Sequence, residues 1–454
     1  MDPSCYVLYS MLENAIKNSP AIVEVKEECQ HYKNYITPQM FGAKGDGIND
    51  DTIALKLLIE RAKETNRTIY IPKGTYNITQ RIVIDNVRMV AANGSIIDAV
   101  ECKDTTEHII VVTGSSSFDN ITFRQSCDVS LMGLASTNNV QFTHCSFLVN
   151  GVSTNGYVDL YSNNHNVTFD DCTFNCNSKT IGGIWIREYK EDTTSENIHF
   201  IDCDFTHSSS DECIASWDWH GTVEEIYIEH CFFHIPKTNK SNHIFGLDYA
   251  IITDCFFYVE GTHQTLFKTS EVEGNMLRRK TLLQNCKVNV SDNFVATTGL
   301  FAGSFEVYSF VLQSNKFIIL NNTDIVTTFF NSTFHCGITF TKNAIFHNCT
   351  FEFPKEAKLD YGSFYGSTQF FNCVIRLKGR MNRLFRDMES TIINGLTITG
   401  SLDELFVITG DVSISNVIAT SGRITVKESA EGYFINSLTT TFDAKNLKTS
   451  NIIH

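Results

Sequence analysis

The residues best equipped for chemistry are two adjacent carboxylates, Asp211 and Glu212, in the stretch Ser208-Ser-Ser-Asp-Glu-Cys-Ile-Ala-Ser-Trp-Asp-Trp-His220. Paired carboxylates push each other's pKa values apart, supplying one proton donor and one base or nucleophile. Adjacent strand residues face opposite ways, so both serve one site only at a bend, which the three serines favour. The bland alternative is that Asp211 caps a turn and Glu212 lies on a solvated face. Glu188 and Asp218 are assisting carboxylates. All three tryptophans, Trp185, Trp217 and Trp219, fall within 35 residues of one another, and some of them could simply pack in a core. With Tyr157, Asp159, Tyr161, Arg187, His220 and Lys268 they make a candidate sugar-binding set. Aromatic rings stack on the apolar face of a sugar and polar groups take its hydroxyls. The distance between the paired carboxyl groups would decide between inversion and retention at a glycosidic bond.

The elements that must position these residues are written as a repeat. Asn139-Val-Gln-Phe-Thr-His-Cys145-Ser-Phe147 returns as Asn166-Val-Thr-Phe-Asp-Asp-Cys172-Thr-Phe174 and Asn197-Ile-His-Phe-Ile-Asp-Cys203-Asp-Phe205. Looser copies surround Cys231, Cys255 and Cys286, and the cysteines step by 27, 31, 28, 24 and 31 residues. A period of this length with strand-type alternation inside each unit indicates a β-solenoid, with equivalent residues stacked at ~4.8 Å. If Val158, Leu160, Ile184 and Ile186 point inward, Tyr157, Asp159, Tyr161, Trp185 and Arg187 point outward onto one wall.

The 454 residues would suggest two or three domains, but a solenoid grows in one dimension without dividing its core. A net charge of −15 argues against a generally basic nucleic-acid or membrane surface. No run of 18 apolar residues is long enough to span a bilayer, and the N-terminus lacks the pattern of a signal peptide. The 15 cysteines read mainly as buried free thiols of the repeat, consistent with synthesis in a reducing cytosol.

Residues 1–36 form an N-terminal cap or attachment segment. Over 37–76 come Phe41-Gly-Ala-Lys-Gly-Asp-Gly-Ile-Asn-Asp-Asp51, a helical pattern from Ile53 to Lys63, and Thr68-Ile-Tyr-Ile-Pro-Lys-Gly-Thr-Tyr76. Asp50 or Asp51 caps that helix, whose apolar face is Leu55, Leu58, Ile59 and Ala62. The β-helix with its groove follows over 77–390, and shorter turns occupy 391–454. The end at His454 presents an open strand edge, to be covered by assembly or by a further domain.

The 37–76 segment resembles the N-terminal capping motif of the pectate-lyase superfamily. That resemblance implies an all-β, right-handed parallel β-helix with a small capping helix. Ser210-Asp-Glu-Cys-Ile214 is similar to the Gly-Asp-Asp-Cys-Ile signature of polygalacturonases, which supplies two catalytic carboxylates. That family's Asn-Thr-Asp is replaced by Arg187-Glu188 in the preceding turn, so only a carboxylate pair on a β-helix groove carries over. The stretch from Trp185 to Phe233 resembles tailspike and appendage proteins of bacteriophages. This implies a homotrimer in the virion tail that binds and hydrolyses a bacterial surface polysaccharide or teichoic acid, with no nucleic acid and no membrane insertion.

Alternatives are a lyase using Ca²⁺ held by Asp159, Glu188 and Asp211 with Arg187 or Lys268 as base, and an adhesin that binds without cutting. His230, His234, His243 and Asp248 are weaker candidates for a metal site, and Leu277-Arg-Arg-Lys280 reads as a solvated loop.

Overall fold

Each repeat alternates apolar and polar residues in three short runs, and each run becomes a strand with its apolar side inward. One turn is Val158–Ser162, His165–Asp170 and Thr173–Cys176; the next is Ile184–Glu188, Thr194–Ile201 and Asp204–His207. Equivalent strands pair in parallel, Val158 on Ile184, Phe169 on Phe200 and Phe174 on Phe205. These runs define a first, second and third sheet. The computed structural model describes residues 35–103, 107–151, 156–177, 182–209, 212–218, 221–236, 241–269, 280–355, 363–426, 433–439 and 444–445. They form a parallel β-solenoid of about 14 turns with a single α-helix. No helix among them is long and apolar enough to cross a membrane.

The core is built from ladders. Phe142, Phe169 and Phe200 stack at 4.8 and 5.0 Å, and Phe147, Phe174, Phe205 and Phe233 at 4.8, 4.7 and 4.4 Å. Cys145, Cys172, Cys203, Cys231, Cys255 and Cys286 are buried, and all described cysteines are free thiols. Each of these six faces the carbonyl of the preceding turn, as Cys203 Sγ does that of Phe169 at 3.4 Å. Between the second and third sheets the chain turns on one left-handed residue, His144, Asp171, Asp202, His230, Asp254 or Asn285, at φ 49–55°. Polar Asn, Asp and His side chains tolerate that conformation best, which explains their recurrence before each cysteine.

At the start, Thr52–Thr65 is the helix and buries Leu55, Leu58, Ile59 and Ala62 as its sequence requires. Asp50 caps it, accepting the Thr52 amide at 3.0 Å and the Thr79 hydroxyl at 2.7 Å. Asp51 turns back instead, accepting the amides of Lys44 at 2.7 Å and Gly45 at 3.0 Å. The segment 1–34 and most of the 277–280 basic run lie outside the described residues. Near the far end the paired positions run from Thr391 to Val412 to Tyr433, a shorter step than in the cysteine repeats.

Candidate active site

Along the first sheet the register aligns Gly133, Asp159, Trp185, Ala215, Gly246 and Lys268 in one column. Beside it Arg187 opposes Trp217 and Glu188 opposes Asp218. The stacking thus brings Asp159, Arg187 and the strand Ile214–Asp218 onto one wall. Of the expected residues, Asp211, Trp219 and His220 lie outside the described residues, and Trp217 and Asp218 are placed by their backbone alone. Lys268 is half-buried at the far end of the column.

Two acid–histidine pairs stand on this wall. In the first, the Asp159 carboxylate is wholly buried and receives the Arg187 Nε–H at 2.8 Å and a second bond from Arg187 Nη2. His108 Nε2 meets the same carboxylate at 3.0 Å, and the imidazole stacks on Tyr161 at 5.1 Å. Gly133 makes the room: a Cβ there would lie 2.7 Å from the His108 ring. The Arg187 guanidinium lies 4.6 Å from the ring centre of Trp185 and 4.8 Å from that of Tyr189. Burial pushes the Tyr161 and Tyr189 phenols up, so both remain neutral.

In the second pair, Glu212 and His243 belong to successive turns, and His243 Nε2 lies 2.8 Å from Glu212 Oε1. Their side chains are 8% and 15% exposed, sheltered yet open to solvent at one edge. The His243 ring lies against Gly246 as that of His108 lies against Gly133. Two rungs, about 10 Å along the axis, separate the strands of Asp159 and Glu212.

Several expectations are corrected. Tyr157 is in the core, 1% exposed, because it precedes the strand and inward–outward alternation does not yet apply to it. Arg187, expected in the sugar-binding set or as a lyase base, is committed to Asp159. Glu188 is fully buried and accepts the Asn163 amide and the Thr193 hydroxyl, both at 2.6 Å, and the Ser195 hydroxyl. It clamps the turn, with three of the roughly four acceptor positions of its carboxylate taken. Asp159 and Glu188 thus both already bind protein groups, and Asp211, the third carboxylate expected around Ca²⁺, lies outside the described residues. The other metal set does not converge: His230 lies 3.8 Å from Asp202 and Asp254 at the turn column, His234 is on the third sheet and His243 on the first. His108 and the partner role of His243 were missed. His108 is 51 residues from Asp159, and His243 carries no local motif.

Residues 39–255 match the family described as Rhamnogalacturonase A/epimerase, pectate lyase-like. A 60-residue stretch, 13% of this chain, is 42% identical to 7% of the capsule K30/K69-specific Depolymerase 1 of Klebsiella phage K5-2. A longer alignment, 250 residues at 22% identity, covers 51% of this chain and 26% of the preneck appendage protein of Bacillus phage PZA. The matched parts are thus a minor share of both relatives. The surface protein and adhesin PfbA of Streptococcus pneumoniae shares the fold: TM-score 0.51 at 14% identity, over 82% of this chain and all of that one. This chain is accordingly a parallel β-helix whose residues 39–255 resemble the pectate-lyase-like family, and parts of it resemble phage depolymerase and appendage proteins.

Proposed function

We propose that this chain is the polysaccharide-binding and polysaccharide-hydrolysing part of a phage tail appendage, acting on a capsule or teichoic acid at the bacterial surface as a homotrimer. The single observation that carries the reading is the Glu212–His243 pair, sheltered on the wall that also holds Asp159, Arg187 and Trp185. A sheltered carboxyl group hydrogen-bonded to an imidazole places two proton-transfer groups within reach of each other. Glu212 gives its proton to the leaving oxygen as the glycosidic or phosphodiester bond breaks. Asp211, its neighbour in sequence, takes a proton from the attacking water or attacks directly. His243 orients the Glu212 carboxyl and returns its proton between turnovers. The Arg187 guanidinium lies over both Trp185 and Tyr189, and Tyr189, 37% exposed against 8% for Trp185, is the more open ring for a sugar. The relatives support the substrate class: one is named a capsule-specific depolymerase and another a phage appendage protein.

Product analysis on a panel of purified bacterial surface polymers tests the proposal. New reducing or phosphate ends are expected. Unsaturated ends absorbing in the ultraviolet would replace it with a lyase, and retention without products would replace it with an adhesin. Native mass of the assembled protein checks the trimer.

A further inference from the structure

A different wall carries its own site. On the outer side of the second sheet, Arg88 pairs in register with Ser117, Ser117 with Gln141, Gln141 with Thr168, Thr168 with His199, and His199 with Tyr227. Six hydrogen-bonding side chains thus follow one another at a rung step of ~4.8 Å. At the Arg88 end the wall is hollowed into a cavity of about 290 Å³, lined by Arg88, Ser117, Asp119, Gln141, Thr143 and His144. That volume lies just under the range of ligand pockets, roughly 300–1,000 Å³.

The commitments of these side chains say what the hollow would take. Asp119 is engaged by His144 Nδ1 at 3.2 Å, and His144 Nε2 lies 3.5 Å from Asp171. Arg88, Ser117, Gln141, Thr143 and Thr168 make no side-chain hydrogen bond to another described residue. Arg88 therefore presents an uncommitted guanidinium on a chain of net charge −15, flanked by a hydroxyl and an amide. A planar guanidinium takes a carboxylate or phosphate in a two-pronged bond, and Ser, Thr and Gln take hydroxyls. The ladder fixes the backbone of all of them, so binding has only the side chains left to order. The outward aromatic stack of this wall, Tyr308, Phe330, His347 and Phe371, is no rival platform. Its rings lie 4.6–4.9 Å apart and cover each other's faces, turning only edges outward.

We propose that this wall is a second glycan-binding strip, separate from the Glu212 wall, that seats an acidic sugar unit with its carboxylate or phosphate on Arg88 and its hydroxyls on Ser117, Gln141 and Thr143. It would hold a polymer chain without cutting it, and it does not depend on the hydrolytic reading.

The test is an array of immobilised oligomers probed with the whole protein: galacturonate hexamer and glycerol-phosphate oligomers as acidic probes, glucose and N-acetylglucosamine hexamers as neutral ones. Wild type and Glu212→Gln should retain an acidic probe over the neutral ones. Arg88→Ala combined with Gln141→Ala, both at exposed positions, should lower that retention at least tenfold. Ser117→Tyr, which fills the hollow, should do the same, while cleavage of short oligomers by these variants stays at the wild-type level. Retention of no acidic probe by the wild type, equal retention of neutral probes, or unchanged retention by both hollow variants would overturn the proposal. Loss of cleavage in Glu212→Gln bears only on the other wall.

Discussion

Replacing Arg187 by Met is the most demanding perturbation of the first-sheet wall. Asp159 is completely buried and Arg187 is 5% exposed at its side chain, so the substitution strands a carboxylate in the protein with His108 as its remaining partner among the described residues. Breaking a buried pair from one side costs about 3–5 kcal/mol, against about 0–1 kcal/mol for an exposed pair. The lost contacts of the guanidinium with Trp185 and Tyr189 act in the same direction. Arg187→Met with Asp159→Asn removes both charges, so the double variant should cost less than Arg187→Met alone. Urea unfolding followed by circular dichroism gives the totals, and hydrogen exchange of Val158–Ser162 and Ile184–Glu188 shows whether the loss is local, as a solenoid's nearest-neighbour energetics requires. A cost below about 1 kcal/mol for Arg187→Met would refute the assignment of a buried, mutually dependent pair.

Three further outcomes are expected. Gly133→Ala should displace His108 and Tyr161, whose rings would lie 2.7 and 2.8 Å from the new Cβ, and should cost about 1–3 kcal/mol in urea unfolding. Phe169→Ala, which opens the ladder between Phe142 and Phe200, should cost about 3–5 kcal/mol by the same measurement. Burial holds His263 below its ordinary 6.5, so below that pH the unfolded chain binds more protons than the native one. The His263 contribution to stability should therefore fall as pH drops from about 6.5 through the native value and be constant above 6.5; His263→Gln should flatten part of that slope in pH-dependent thermal unfolding.

The repeat made the solenoid readable because its period, its cysteines and its alternation all describe one object, the stacked turn. Leu55, Leu58, Ile59 and Ala62 likewise predicted the buried helix face. The wall was readable as a direction: Asp159, Trp185 and Arg187 do leave the core side of their strands. Depth was not readable. Alternation cannot tell that Asp159 and Arg187 cover one another, that Arg187 lies against Trp185 and Tyr189, or that Glu188 is taken up by Asn163, Thr193 and Ser195. Tyr157 failed for a local reason, since it lies one residue before its strand. His108 and His243 were hidden because their partners lie on other turns and only a small residue in the column, Gly133 or Gly246, marks where a ring can lie.

Glu212→Gln tests the central claim most directly, read by product formation and polymer retention on the same surface glycopolymer. Positioned general acids contribute roughly 10²–10⁴-fold. The account requires cleavage to fall by about that factor while the variant still holds the polymer as the wild type does. Cleavage at the wild-type rate by Glu212→Gln would contradict it.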